Sequence, residues 1–416
     1  MMLPALLTIL PLMTATDSKP VEPIKVEKTD WAWWRGPNHD GSIETGAVTT
    51  EWSESENVVW KAKVPGRGHG SAIIVGDQVL IAGADKGRGV QSVVCFDFAT
   101  GKQAWESIVH QGGIYKGGNK KASQASSTPA CDGERIYASF LNKGAIHTSA
   151  ISRKGDVLWT TKISDYIVHQ GYGASPLLFE DLVIVSADNK GGGKVAALRR
   201  SSGDIVWEHK RPKKPNYPSP VIYELFGKKQ LILTGCDLVT SLDPRTGKEH
   251  WQVKGATTEC VTTSVTDGTH VFTSGGYPTN HVSAVRADGS GKKAWEVTSR
   301  VYVPSMLIKE GHLYSILDAG IASCRKCSDG TEVWKHRIGG THSSSPVMVN
   351  NMIVATDEQG VTTVFKATPD GFEQVAKNRL NAEVFSTPSF SRGRMFLRAA
   401  KKEDGKRQEY LYCIGK

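Results

Sequence analysis

A glycine followed four residues later by a tryptophan recurs along this chain, and it constrains the fold more than any other feature. The pairs are Gly101 with Trp105, Gly155 with Trp159, Gly203 with Trp207, Gly247 with Trp251, Gly291 with Trp295 and Gly330 with Trp334; Gly371 keeps the spacing with Val375 in the tryptophan's place. Intervals of roughly 40 to 55 residues are the period of a repeat architecture, in which one unit cannot bury its apolar face without its neighbours.

Each unit has the same internal order. A Ser or Thr, usually followed by Pro, opens it; three short β-prone runs come next, then the glycine turn and the Trp. Ser175-Pro176-Leu177-Leu178, Leu182-Val183-Ile184-Val185-Ser186 and Val195-Ala196-Ala197-Leu198 precede Gly203, and Ser345-Pro346-Val347-Met348, Met352-Ile353-Val354-Ala355-Thr356 and Thr362-Thr363-Val364-Phe365 precede Gly371. Short β-branched runs bounded by Gly, Asn and Asp are strands and hairpin turns rather than helices. The 43 glycines and 18 prolines fit that many reversals. The recurring glycine falls where the chain must turn back between the third and fourth strands, and a positive φ there is cheap only for glycine. Four-stranded antiparallel sheets repeated this often stack radially and close into a propeller, which also protects their edges.

The ends of the chain predict the blade count. After Val375 comes one more opening, Thr387-Pro388, with the runs Met395-Phe396-Leu397 and Tyr410-Leu411-Tyr412-Cys413-Ile414 but no fourth strand. Near the other end, Val58-Val59-Trp60-Lys61-Ala62 is a strand and Trp with no preceding strands of its own. The expectation is an all-β, eight-bladed β-propeller closed by this N-terminal strand, with seven blades as the alternative if the Val375 unit or the final blade is irregular. Residues 1–16 read as a signal peptide, 17–56 as a leader or cap, and 57–416 as the propeller. The apolar run Leu3 to Leu10 is too short to span a bilayer, which takes ~20 residues, and Thr14-Ala15-Thr16 offers a small-residue cleavage site. A periplasmic or secreted protein without a transmembrane segment in the mature chain is expected.

The units Cys95-Phe96-Asp97-Phe98-Ala99-Thr100-Gly101-Lys102-Gln103-Ala104-Trp105 and Ser241-Leu242-Asp243-Pro244-Arg245-Thr246-Gly247-Lys248-Glu249-His250-Trp251 resemble the PQQ-like (pyrroloquinoline-quinone-type) propeller repeat, over roughly residues 58 to 416. The segment Trp34-Arg35-Gly36-Pro37-Asn38-His39-Asp40-Gly41 looks like the leader that precedes such propellers in exported bacterial proteins. The resemblance implies a docking role for Trp60, Trp105, Trp159, Trp207, Trp251, Trp295 and Trp334, each packed between neighbouring blades. It also implies two function classes, because the family holds both quinoprotein dehydrogenases, which carry PQQ and calcium, and non-catalytic relatives similar to the propeller subunit of the outer-membrane protein assembly machine. Fold alone does not choose between them.

The sequence lacks what the dehydrogenases need. None of the seven cysteines is adjacent to another, and no Cys-x-x-Cys-His haem site occurs. Cys324-Arg325-Lys326-Cys327 has the spacing of a redox or zinc motif but no second pair, and Cys324 takes the place held by Cys95, Ala197 and Ser241 in other units, a small buried strand residue. Gly191-Gly192-Gly193-Lys194 lacks the Ser/Thr and helix of a phosphate loop and reads as a hairpin. The net charge of +9 includes the clusters Lys116 to Lys121 and Lys210-Arg211-Pro212-Lys213-Lys214, read as solvated loops, with an anionic partner as the alternative; nothing points to specific nucleic-acid binding.

In a propeller the first strand of each blade lines the channel, so positions just before it converge on one mouth. Three or four residues before each opening Ser/Thr stand Gly68, Gln124, Tyr172, Asn216, Glu259, Tyr302, His342 and Val384. Gln124, Tyr172, Asn216, Glu259, Tyr302 and His342 form the candidate ligand set. Glu259 is its only carboxylate, whereas calcium usually takes about six to eight oxygens. The reading is a monomeric, exported, non-enzymatic binding or assembly module for a macromolecular partner in the cell envelope, with no cofactor expected. The competing reading is a PQQ-dependent quinoprotein-like oxidoreductase with PQQ and calcium in the channel.

Overall fold

The computed structural model describes residues 22–416, so the segment expected as a signal peptide lies outside the described residues. The described chain is all strand, turn and loop, and its strands form eight sheets. Blade 1 consists of Ile73–Val75, Gln78–Asp85, Val90–Asp97 and Gln103–Gln111. Blades 2 to 7 follow in chain order with inner strands opening at Ala130, Leu177, Val221, Val265, Leu307 and Val347. Blade 8 takes Ser389–Ser391, Arg394–Glu403 and Lys406–Ile414 from the end of the chain and its fourth strand, Val58–Val64, from the beginning. The eight-bladed expectation and its mode of closure therefore hold.

Burial follows position in the blade. The second strand of blade 1 is buried from Val79 to Ala84, because neighbouring blades cover both of its faces, whereas the fourth strand is exposed at Gln103 and Ala104 and mostly half-buried beyond them. The core is thus a set of apolar layers between blades, one of which joins Trp60, Ile81 and Phe96 to Phe396 and Tyr412.

The indoles dock from each blade onto the next. Trp60 Nε1 donates to the Phe98 carbonyl (3.0 Å), Trp105 to Arg153 (3.2 Å), Trp159 to Arg200 (3.0 Å), Trp207 to Pro244 (3.1 Å), Trp295 to Cys327 (2.8 Å) and Trp334 to Thr368 (2.9 Å). The turn glycine beneath an indole belongs to the following blade. A Cβ on Gly101 would stand 2.5 Å from the Trp60 ring, and one on Gly247 2.5 Å from Trp207. Within one Gly-x-x-x-Trp unit, therefore, the glycine receives the preceding blade's tryptophan while its own tryptophan reaches forward. Trp251 departs from the pattern: its Nε1 donates to Gln230 Oε1 of its own blade (2.8 Å), and Gln230 Nε2 donates across to the Ala287 carbonyl of blade 5 (3.1 Å).

A second set of links runs around the axis and explains the recurring opening residue. In six of the eight steps the hydroxyl of an opening Ser/Thr accepts the backbone N–H of the previous one: Ser71 N–H to Thr128, Thr128 to Ser175, Ser175 to Ser219, Thr263 to Ser305, Ser305 to Ser345 and Ser345 to Thr387, all between 2.9 and 3.0 Å. All eight opening residues are buried. Backbone donors that no ladder can satisfy at the crowded axis are thus paired by side chains.

The leader fills the channel from one end up to this ring. Ser42–Ile43 adds a parallel strand to Val347–Val349 of blade 7, and the Trp34 indole donates to Thr263 Oγ1 (2.8 Å). Arg35, 1% exposed, donates to the carbonyls of Pro346, Met306 and Asp40, so a fixed guanidinium satisfies inner-strand carbonyls from two blades. Gly41 (φ +84°) closes against it, and a Cβ there would overlap the Arg35 guanidinium at 2.3 Å.

Candidate functional site

On the other side of the hydroxyl ring a cavity of about 510 Å³ opens on the axis. Residues two positions before the opening Ser/Thr line it in all eight blades: His69, Ser126, Gly173, Tyr217, Val261, Val303, Ser343 and Phe385. Of the set expected from sequence, Tyr172, Tyr302 and His342 also line it. The others lie elsewhere. Asn216 is buried behind the wall, its Nδ2 donating to Asp188 Oδ2 (3.0 Å) and the Thr234 carbonyl (2.6 Å) while its Oδ1 accepts the Cys260 N–H (3.1 Å). Glu259 is buried too, with Oε1 2.8 Å from His169 Nε2 and Oε2 accepting the Tyr302 hydroxyl (3.2 Å). Gln124 borders two other pockets and its carbonyl accepts Gln91 Nε2 (2.9 Å). Val384 is buried, and Gly68 is pressed against Arg398, where a Cβ would stand 2.3 Å from the guanidinium. Counting back two residues from the opening hydroxyl, rather than three or four, is the signal that finds the lining.

Rings dominate the mouth. His69 stacks on Phe385 (centroids 4.5 Å apart), and the Arg300 guanidinium lies over Tyr302 (5.2 Å). Burial, with Arg67 beside it, holds the His69 imidazole well below the ordinary histidine range, and burial lowers His342 as well. Both imidazoles are neutral near pH 7. Burial and the Glu259 carboxylate raise the Tyr217 and Tyr302 phenols.

Two carboxylates that the opening-residue count passes over also face the cavity, because they come from turns between second and third strands. Glu358 accepts Lys121 Nζ (2.7 Å) and the Ser343 hydroxyl (2.7 Å), a clasp from the blade 1–2 connection to blade 7. Asp318 accepts the Tyr302 N–H (2.8 Å), and burial raises its pKa. Each carboxylate is engaged within the chain, and among the described residues no three His, Cys, Asp or Glu side chains gather as metal ligands. The cavity's cations, Lys121 and Arg300, are matched by these two carboxylates. Two carboxylates, each already engaged, do not fit calcium, which usually takes about six to eight oxygens.

The remaining sequence motifs are structural. Cys324 and Cys327 are buried free thiols that burial pushes up to about 11 and about 12, and the Cys327 carbonyl receives the Trp295 indole. Gly191 to Gly193 turn the chain between Leu182–Ser186 and Lys194–Arg199. The 210–214 cluster is not a solvated loop throughout: Arg211 is buried, with Nε 3.1 Å from Asp188 Oδ1 and Nη1 donating to Thr240 Oγ1 (3.0 Å), and Lys214 pairs with Asp237. A buried guanidinium needs such partners, so its charge is not available to a polyanion. Among the described residues no helix is long and apolar enough to cross a membrane.

A family model described as outer membrane protein assembly factor BamB matches residues 42–165, 89–335 and 278–374. No curated protein matches the chain in sequence. Among solved structures, BamB from Moraxella catarrhalis is similar at 13% identity and TM-score 0.60, covering 85% of this chain and 99% of that one. Quinohemoprotein alcohol dehydrogenase from Comamonas testosteroni is similar at 12% identity and TM-score 0.70, covering 93% and 81%. A europium-containing methanol dehydrogenase is similar at 10% identity and TM-score 0.68, covering 94% and 98%. At such identities the structural likeness speaks for the fold, in which assembly factors and enzymes stand side by side. The family model spans most of the chain, and with the docking tryptophans it places this protein in the PQQ-like β-propeller family whose model bears the BamB description.

Proposed function

We propose that this chain is an exported propeller that binds a macromolecular partner in the cell envelope rather than oxidising a substrate. The observation that carries this reading is the state of the carboxylates at and behind the mouth: Asp318 and Glu358 in the cavity and Glu259 behind its wall are each held by groups of this chain, where a quinoprotein would present carboxylates to a metal. The BamB description of the matching family model supports a partner-binding role, and it supports export. Blade turns and inter-blade loops supply the recognition surface.

Affinity capture of the mature protein from envelope extracts, followed by mass spectrometry, tests the proposal. The expected result is a reproducible envelope protein that a Trp-docked, folded control propeller of another sequence does not retain. Calorimetry with PQQ and calcium is expected to give no saturable heat. Micromolar PQQ binding with dye reduction by simple alcohols would replace this reading with the oxidoreductase one.

A further inference from the structure

We propose that the axial cavity is a binding site for an uncharged saccharide, a function that goes beyond the partner reading. Three independent observations converge on that chemistry. The first is shape and place: about 510 Å³ lies within the ~300–1,000 Å³ range of small-ligand sites, and all eight blades contribute to a rigid wall.

The second is the kind of surface. His69, Tyr217, Tyr302 and Phe385 are partly exposed in the cavity rather than packed away, and Tyr277, outside the lining, is 56% exposed. Its segment is linked to the wall, because Arg300 Nη1 donates to the adjacent Gly276 carbonyl (3.1 Å). Aromatic faces left open beside planar amides suit a ligand with apolar C–H faces and hydroxyl edges. The amides are present: Asn119 Nδ2 donates to Gln170 Oε1 (2.9 Å), and both residues line the cavity. Each keeps one further donor or acceptor for a hydroxyl.

The third is charge. Lys121 and Arg300 balance Glu358 and Asp318, and Lys121 is already clasped to Glu358. An anionic ligand at Lys121 would have to break that clasp, and a cationic one at Glu358 would have to displace the lysine, while the Arg300 guanidinium is drawn to the Gly276 carbonyl and the Tyr302 ring. A neutral polyol needs neither, since these charged groups still accept and donate hydrogen bonds. A wholly apolar ligand would leave the free donors of Asn119 and Gln170 unpaired.

The test is calorimetry of the full mature chain with maltotriose and chitotriose as neutral probes, an oligogalacturonide as the anionic probe and a tyrosine-containing tetrapeptide as the peptide probe. Saturable binding of at least one neutral trisaccharide is expected, weakened about tenfold or more by Tyr302→Ala. Tyr302→Phe, which keeps the ring, should stay within a few-fold of the parent. Phe385→Ala provides a second variant, since its ring stacks only on His69 at the cavity edge. Absence of saturable binding by both neutral sugars, tighter binding of the oligogalacturonide or peptide, or binding that survives both ring removals overturns the proposal. Envelope capture with Tyr302→Ala should be unchanged, so failure here is distinguishable from failure of the partner reading.

Discussion

Trp60 lies directly opposite Cys413 in the strand pair that closes the ring, the first strand of the propeller against its last. Cys413 is fully buried, and the Trp60 indole continues across the seam to the Phe98 carbonyl of blade 1. Closure therefore joins blade 8 to itself by a ladder and to blade 1 by a side chain. Deleting residues 57–62 should leave Lys406–Ile414 as an unpaired edge, and such edges aggregate. Size-exclusion chromatography with light scattering should show large species. A monodisperse variant with an unchanged unfolding midpoint would show that the seam is dispensable.

The tryptophan docking predicts matched losses on both sides of one contact. Trp207→Ala should cost ~3–5 kcal/mol, the usual range for emptying a large aromatic site. Gly247→Ala should cost about 1–3 kcal/mol, because its Cβ would stand 2.5 Å from the Trp207 ring at a φ of +69°. Urea denaturation measures both. A neutral Gly247→Ala would mean that the indole does not rest on the following blade's turn.

Gln230 relays the Trp251 hydrogen bond to blade 5, and it also accepts the Ser241 hydroxyl (2.7 Å). Gln230→Leu should cost at least ~2 kcal/mol, since each buried polar group left unpaired costs about 1–3 kcal/mol. In a double-mutant cycle with Trp251→Phe the two losses should be clearly less than additive. Additive losses would indicate that the relay is not a coupled unit.

The hydroxyl ring makes a local prediction that global stability alone would not separate. Ser305→Ala removes the acceptor of the Thr263 N–H at 3.0 Å. Hydrogen exchange at the Thr263 amide should accelerate, while the Ser175 amide, which is held by Ser219 on another part of the ring, keeps its protection. Equal acceleration at both amides would point to general loosening instead.

Two half-buried histidines set a pH dependence. Burial lowers His39, stacked on Trp33, and His110, beside Phe140 and His147, each to about 4. A folded-state pKa below the ordinary ~6.5 means that the unfolded chain binds more protons in between, so stability is fully present above about pH 6.5 and is lost as pH falls toward 4. The urea midpoint should therefore rise with pH across that window, and His110→Gln should flatten the rise. An unaltered slope in that variant would remove His110 from the account.

Much of the fold was legible in the order of residues because it is periodic and local. A turn that needs a positive φ marks itself with glycine, as at Gly101 and Gly247, and strands separated by such turns mark themselves with β-branched runs. Even the long-range seam could be read, because an incomplete last unit and an orphan strand at Val58 complete one another. The site was legible only to within a residue or two. The opening Ser/Thr showed which segments meet at the axis, but in extended backbone a slip of one residue sends the side chain to the opposite face. That slip separates Tyr217, in the cavity, from Asn216, buried behind it.

Other features exist only where blades meet, and no spacing along the chain records them. The forward reach of Trp60, Trp105, Trp159, Trp207 and Trp295 to the next blade's glycine, the Gln230 relay, the burial of Arg211 against Asp188 and the seating of Arg35 among carbonyls of two blades are all of this kind. Each depends on where side chains from units about 40 residues apart come to lie. Sequence determined that this chain would repeat, turn and close; the packing of one blade on the next decided which of its polar groups are spent on holding the ring and which remain free to bind.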